Sequence, residues 1–190
     1  MIGTLPKTNE FRVPKQGPQI WSKNFKQFLK NGKEYGVRKK VETFIEEENL
    51  HVELNNNIIT ELPFRFFEIY QAIEKSKYIL ELEDDWDEED SADYKESTWK
   101  RAIKFIANYA KWVLEETSII IDTPKLYPGP EGSIDILWKK PKYRLLINIP
   151  QDSQSPASFY GDDFESEQIK GTFEPSKFNQ GLLLCLLGMR

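Results

Sequence analysis

The sequence predicts an α+β domain: an antiparallel β-sheet meander packed against one long helix, with a smaller N-terminal α/β extension. Two patterns carry this. Trp99, Ala102, Ile103, Ile106, Ala110, Val113 and Leu114 recur at i, i+3, i+4 and i+7, which places an amphipathic helix over 98–116. Short runs rich in β-branched and aromatic residues follow at 119–121, 125–127, 133–139, 143–149, 158–160 and 169–173, with turn-forming residues between them. At 190 residues, 39% hydrophobic and 30% charged, the chain is long enough for one ordinary core. A fold of this size hides roughly 70% of its unfolded surface.

From the N-terminus, Gly3, Pro6, Pro14, Gly17 and Pro18 disfavour regular structure and predict an extended arm. Ile20, Trp21, Phe25, Phe28 and Leu29 then recur at helical spacing with lysines on other faces, and Gly32 stops this short basic helix. Val37, Val41, Thr43 and Ile45 share one parity and predict a strand. Residues 51–54 and 58–62 flank Asn55-Asn56-Asn57, whose short amides tolerate the left-handed backbone of a tight turn, so a hairpin is expected. Pro63 opens a helix over 64–77, with Phe64, Phe67, Ile69, Tyr70 and Ile73 inward. Ser97 or Thr98 is positioned to cap the long helix. In the meander, Ile134, Ile136 and Trp138 alternate after the Pro128-Gly129-Pro130-Glu131-Gly132 turn, and Tyr143, Leu145, Ile147 and Ile149 alternate after Lys140-Pro141. The leucine run at 182–187, which contains the single cysteine Cys185, predicts a buried terminal helix over 178–187. In domain terms, 1–80 forms the basic arm, helix and hairpin region and 81–190 the helix-plus-sheet core, joined as one compact unit.

Charge is unevenly distributed. Residues 1–41 carry +8, residues 42–98 carry −14 and residues 99–190 carry +1, for a net −5. A basic arm of this kind fits either nucleic acid or the acidic middle of its own chain, because clustered lysines displace counterions from phosphate as readily as they pair with carboxylates. One cysteine excludes an internal disulfide, and one histidine, His51, excludes chemistry built on a histidine pair. No apolar run reaches the length of a membrane span, and the first residues lack the apolar core of a secretory signal, so a cytoplasmic location is expected.

The catalytic signatures are weak. Asp85, Asp87, Glu89, Asp93 and Glu96 fall at positions 1, 3, 5, 9 and 12 of a calcium-type loop, but Asp90 stands where the sharp turn needs glycine. No glycine-rich phosphate cradle occurs, and Cys185 lies inside a leucine run rather than beside a base. No cofactor, metal or catalytic residue is therefore assigned. The segment Ala157-Ser158-Phe159-Tyr160-Gly161-Asp162-Asp163, followed by Ile169-Lys170-Gly171-Thr172, places a ring, two carboxylates and a lysine near one sheet end. Tyr160, Asp162, Asp163 and Lys170, together with Asp84, Asp85, Trp86 and Asp87 of the acidic loop, are the candidate partner-binding residues.

Asp84-Asp85-Trp86-Asp87, Tyr94, Thr98-Trp99, the segment from Pro128 to Asp135, Trp138, Leu146-Ile147-Asn148-Ile149-Pro150, Ala157 to Asp163 and Ile169-Lys170-Gly171-Thr172 together resemble a group of small uncharacterised bacterial proteins. That group has a Trp-Asp acidic loop, a long helix and a P-x-G-S-I-D hairpin. The resemblance covers about 80–187, and Glu88 stands where the group commonly has glycine. No catalytic residues transfer from it. It implies an accessory role in a bacterial toxin–antitoxin or antiviral defence locus. The function expected is thus a non-enzymatic binding or regulatory protein with a protein partner, nucleic acid through 1–41 being the other partner weighed. The competing expectation is a small hydrolase or ligand-binding enzyme using Asp135, Asp162, Asp163 and Lys170.

Overall fold

A computed structural model describes residues 48–86, 93–165, 168–179 and 181–182. The expected arm, basic helix and strand before residue 48, Asp87 with the centre of the acidic loop, and Cys185 with the leucine run after Leu182 lie outside the described residues. The described residues belong to one compact unit, Thr43–Arg190.

The architecture is α+β. Strands β1 (Asn49–Leu54) and β2 (Asn57–Pro63) form an antiparallel hairpin. Asn55 and Asn56 both adopt left-handed backbone, φ 52° and 61°, as a two-residue turn matched to strand twist requires. Helix α1 (Phe67–Lys75) follows, and then α2 (Glu96–Thr117). Strands β3 (Lys125–Pro128), β4 (Ile134–Lys139), β5 (Arg144–Ile149), β6 (Ala157–Asp162) and β7 (Gln168–Phe173) form an antiparallel meander in sequence order. No described helix is long and apolar enough to cross a membrane.

Helix α2 organises the core. Its buried residues, from Thr98 through Val113, span an arc of about 200° at 100° per residue, far wider than the stripe of an ordinary surface helix. The helix can bury so much because it packs against β2 as well as against β4 and β5. Trp99 is fully buried with its indole N–H donating to Ser76 Oγ at 2.9 Å, and Trp138 donates to the Asp122 carbonyl at 2.9 Å. Both large rings thus keep their polar atom satisfied inside the core.

Four expectations are corrected. The helix after Pro63 is α-helical only over Phe67–Lys75, flanked by 3-10 turns at Phe64–Phe66 and Ser76–Glu81. The tighter turn shifts the phase, so Phe66, Ile69 and Ile73 are buried while Phe64 and Phe67 are exposed. Ser97 and Thr98 lie inside α2, which Lys95 precedes without a side-chain cap. The run 119–121 forms no strand, because α2 ends in a left-handed Ser118 and leaves Ile119 and Ile120 exposed. Phe178 and Asn179 are not helical, whereas Gly181 and Leu182 are, and Phe178 instead stacks on Trp112 with ring centroids 4.6 Å apart.

Candidate binding face of the five-stranded sheet

Alternation sorts the sheet into two faces. Ile134, Ile136, Trp138, Leu145, Ile147 and Ile149 point to the core and are all buried. The opposite face is exposed or half-buried at every position. Register sets its side chains in three rows across the strands. One row is polar: Tyr127, Asp135, Asn148, Ser158 and Thr172. The middle row is Lys125, Leu137, Leu146, Tyr160 and Lys170, an apolar strip with a lysine at each end. The third is Lys139, Arg144, Asp162 and Gln168.

Arg144 organises one corner of this face. Its Nε donates to Asp162 Oδ2 at 2.7 Å, and its guanidinium lies 5.7 Å from the ring centroids of both Tyr160 and Phe164. Desolvation pushes the Asp162 carboxyl up, but hydrogen bonds from Arg144 and the Phe164 amide hold it below the usual aspartate range. Lys170 sits opposite Tyr160 on β7. Lys139 and Arg144 are direct cross-strand neighbours of like charge, with one carboxylate, Asp162, beside them.

At the other end is a polar knot. Asn148 Nδ2 donates to Ser133 Oγ at 2.7 Å and to Asp135 Oδ1 at 2.8 Å, and Ser133 Oγ donates to the Pro130 carbonyl at 2.6 Å. Burial pushes the Asp135 carboxyl above its ordinary value, with the Asn148 hydrogen bond opposing. Gly129 lies against the knot: a Cβ there would fall 2.6 Å from Ser133 Oγ and 3.1 Å from Asp135 Oδ1. Gly132, at φ 69°, is needed both for its left-handed backbone and because a Cβ would meet Gln151 and the Asp93 carbonyl.

The flanks of the acidic loop, the turn before β4 and the end of β5 meet in space. Tyr94 donates its hydroxyl proton to the Gly129 carbonyl at 2.8 Å, Gln151 Nε2 donates to the Asp93 carbonyl at 3.1 Å, and the Asp93 amide donates to Asp84 Oδ1 at 2.7 Å. Asp84 therefore holds the two sides of the acidic loop together, while Trp86 is exposed. Among the described residues no group of three or more His, Cys, Asp or Glu is placed to hold a metal.

Of the predicted sheet-end residues, Tyr160, Asp162 and Lys170 share the open face, and Asp163 does not. Asp163 is buried, 7% exposed, with Oδ1 accepting from the Glu165 amide at 3.0 Å. It lies just past the end of β6, where the strand has stopped. Asp135 is also distant: two strands and four residues separate it from Asp162, about 16 Å at ordinary strand spacings. A groove of about 540 Å³ between α1 and β3, lined by Glu68, Gln71, Lys75, Tyr78, Lys125 and Tyr127 among others, contains none of the four hydrolase candidates. Lys139, Arg144, Leu137 and Leu146 also lie on this face and were not among the residues predicted from the sequence. Their signal was present in the Lys139-Lys140-Pro141-Lys142-Tyr143-Arg144 run and in the parity opposite to the core residues.

Compared with protein-family profiles, with curated proteins and with solved structures, the chain finds no match in any of the three.

Proposed function

We propose that this chain is a non-enzymatic binding protein whose protein partner seats on the open face of the five-stranded sheet. The observation that carries the proposal is the strip Leu137–Leu146–Tyr160, ringed by Lys125, Lys139, Arg144 and Lys170, in a chain whose net charge is −5. An apolar centre with a charged rim is the anatomy of a protein interface, and the partner it fits presents apolar side chains flanked by carboxylates. The separation of Asp135 from Asp162 and the burial of Asp163 support binding over hydrolysis, since acid–base chemistry needs carboxylates that converge on one reacting atom. The resemblance to small bacterial proteins supports, within the same proposal, an accessory role in a toxin–antitoxin or antiviral defence locus.

The test is co-expression of the tagged chain with its adjacent genes, followed by purification at physiological salt. A stoichiometric protein is expected with the wild type and is lost with Leu146→Glu and reduced with Lys139→Glu. Retention of that protein by both variants would show that the open face is not the interface.

A further inference from the structure

The open face also has a property that the proposed partner does not explain: it is complementary to itself. A two-fold axis lying across the strands along the middle row stacks two copies face to face, with each strand above its own equivalent and running the opposite way. On β4 the residues of the three rows are Asp135, Leu137 and Lys139, and on β5 they are Asn148, Leu146 and Arg144. The axis sets Leu137 over Leu137 and Leu146 over Leu146. It sets Asp135 of each copy opposite Lys139 of the other, Asn148 opposite Arg144, and on β6 Ser158 opposite Asp162. We infer that a second copy of this chain occupies the open face of the free protein, through this two-fold packing of sheet on sheet. The inference rests on the reading of that face as a binding surface.

Three observations support this occupant. Lys139 lies beside Arg144, a like-charge cross-strand pair that Asp162 only partly balances, so a carboxylate arriving from outside relieves the repulsion. The two-fold supplies one in Asp135, whose side chain is half-buried on the same face. Packed sheets stand about 10 Å apart, a gap that a lysine and an aspartate reaching from opposite sides close between them. Their strands cross by about 30°, which shifts each opposition in proportion to its distance from the centre: Leu146 stays over Leu146, while the Asp135–Lys139 pairs shift by about 4 Å, within the reach of a lysine side chain. The Lys125 and Lys170 pairs at the two ends of the strip shift by about 5 Å, and their long exposed side chains turn away from each other into solvent. Turning the axis by a right angle, along β5, sets Arg144 against Arg144 near the centre and offers Lys139 only Asp162, a carboxylate already bound to Arg144, which disfavours that arrangement.

The face measures about 24 by 20 Å, below the about 800 Å² per partner of a tight complex, so the association is of low affinity and is read at high protein concentration. Self-association and partner binding use one surface and exclude each other.

Sedimentation equilibrium on the full chain, from micromolar to several hundred micromolar, tests the inference. A reversible monomer–dimer equilibrium is expected, weakened at least about tenfold by Leu146→Glu. Lys139→Glu, an exposed position, places two carboxylates opposite each other and weakens the dimer. Asp135→Lys combined with Lys139→Glu exchanges the charges and restores it, with circular dichroism melts confirming that each variant is folded. A wild type that stays monomeric over the whole range overturns the inference, and so does a dimer insensitive to both Leu146→Glu and Lys139→Glu. A monomeric wild type that still captures a co-expressed protein through Leu146 would leave the binding role standing and remove only the self-association.

Discussion

The two faces of the five-stranded sheet are built from the same strands and differ in almost everything else. Inward, β4 and β5 contribute Ile134, Ile136, Trp138, Leu145, Ile147 and Ile149, none more than 1% exposed. Outward, the alternate residues are Asp135, Leu137, Lys139, Arg144, Leu146 and Asn148. A shift of one residue separates the two sets, so whatever fixes register also decides which side chains meet α2 and which meet solvent. The inner face holds the fold together, and the outer face is left to solvent.

The largest expected break in that comparison is a pair of truncations one residue apart. Ile147→Ala removes a fully buried side chain beneath α2 and should cost about 3 kcal/mol, whereas Leu146→Ala on the outer face should cost about 1 kcal/mol or less. Urea unfolding of the two variants checks this, and equal losses would mean that the faces are not energetically distinct.

A smaller effect is expected at the turn that sets the register of β4. Gly132→Ala forces a side chain into a left-handed conformation against Gln151 and the Asp93 carbonyl, and should destabilise by about 1–3 kcal/mol. Thermal melts would register it. A neutral Gly132→Ala would show that the turn adapts without strain.

The smallest effect sharpens the contrast within the outer face itself. Asp135 titrates above the usual aspartate value because burial disfavours its charge, while Asp162 titrates below it through Arg144 and the Phe164 amide despite desolvation. The signs for stability are opposite. A carboxyl whose folded value is raised opposes folding above that value, and the opposition is relieved as pH falls through the folded and then the unfolded value. A carboxyl whose folded value is lowered supports folding above its unfolded value and loses that support as pH falls through its folded one. Asp135→Asn should therefore raise stability at neutral pH relative to acid, and Asp162→Asn should remove stability at neutral pH. Carboxyl-carbon NMR titration checks the order of the two groups directly, and Asp162 titrating above Asp135 would contradict the assignment.

Much of the fold was legible because periodicity is a local property. The helical spacing from Trp99 to Val113 and the alternation from Ile134 to Trp138 each reflect one element meeting one core, and both were found where expected. The Asn55-Asn56 turn was legible for a similar reason, since its backbone conformation suits few other residues. Phe64 and Phe67 misled because a 3-10 turn has a different period from an α-helix, and nothing in the residues before Phe67 marks the change. The candidate site was legible in part: Tyr160, Asp162 and Lys170 lie together, Asp163 is buried, and Lys139, Arg144 and Leu146 were not among the predicted site residues.

The sequence by itself determined most of the elements, their order, and the residues each strand of the meander offers to its two sides, because these follow from the 3.6 and 2.0 periods and from turn chemistry. Only the tertiary structure decided that Lys139 stands beside Arg144, that Asp135 and Asp162 are kept about 16 Å apart, and that an apolar strip runs between two lysines across five strands. Those facts depend on strand pairing over long separations, where each neighbour is chosen by the packing of the whole sheet on α2 rather than by the residues adjacent in the chain.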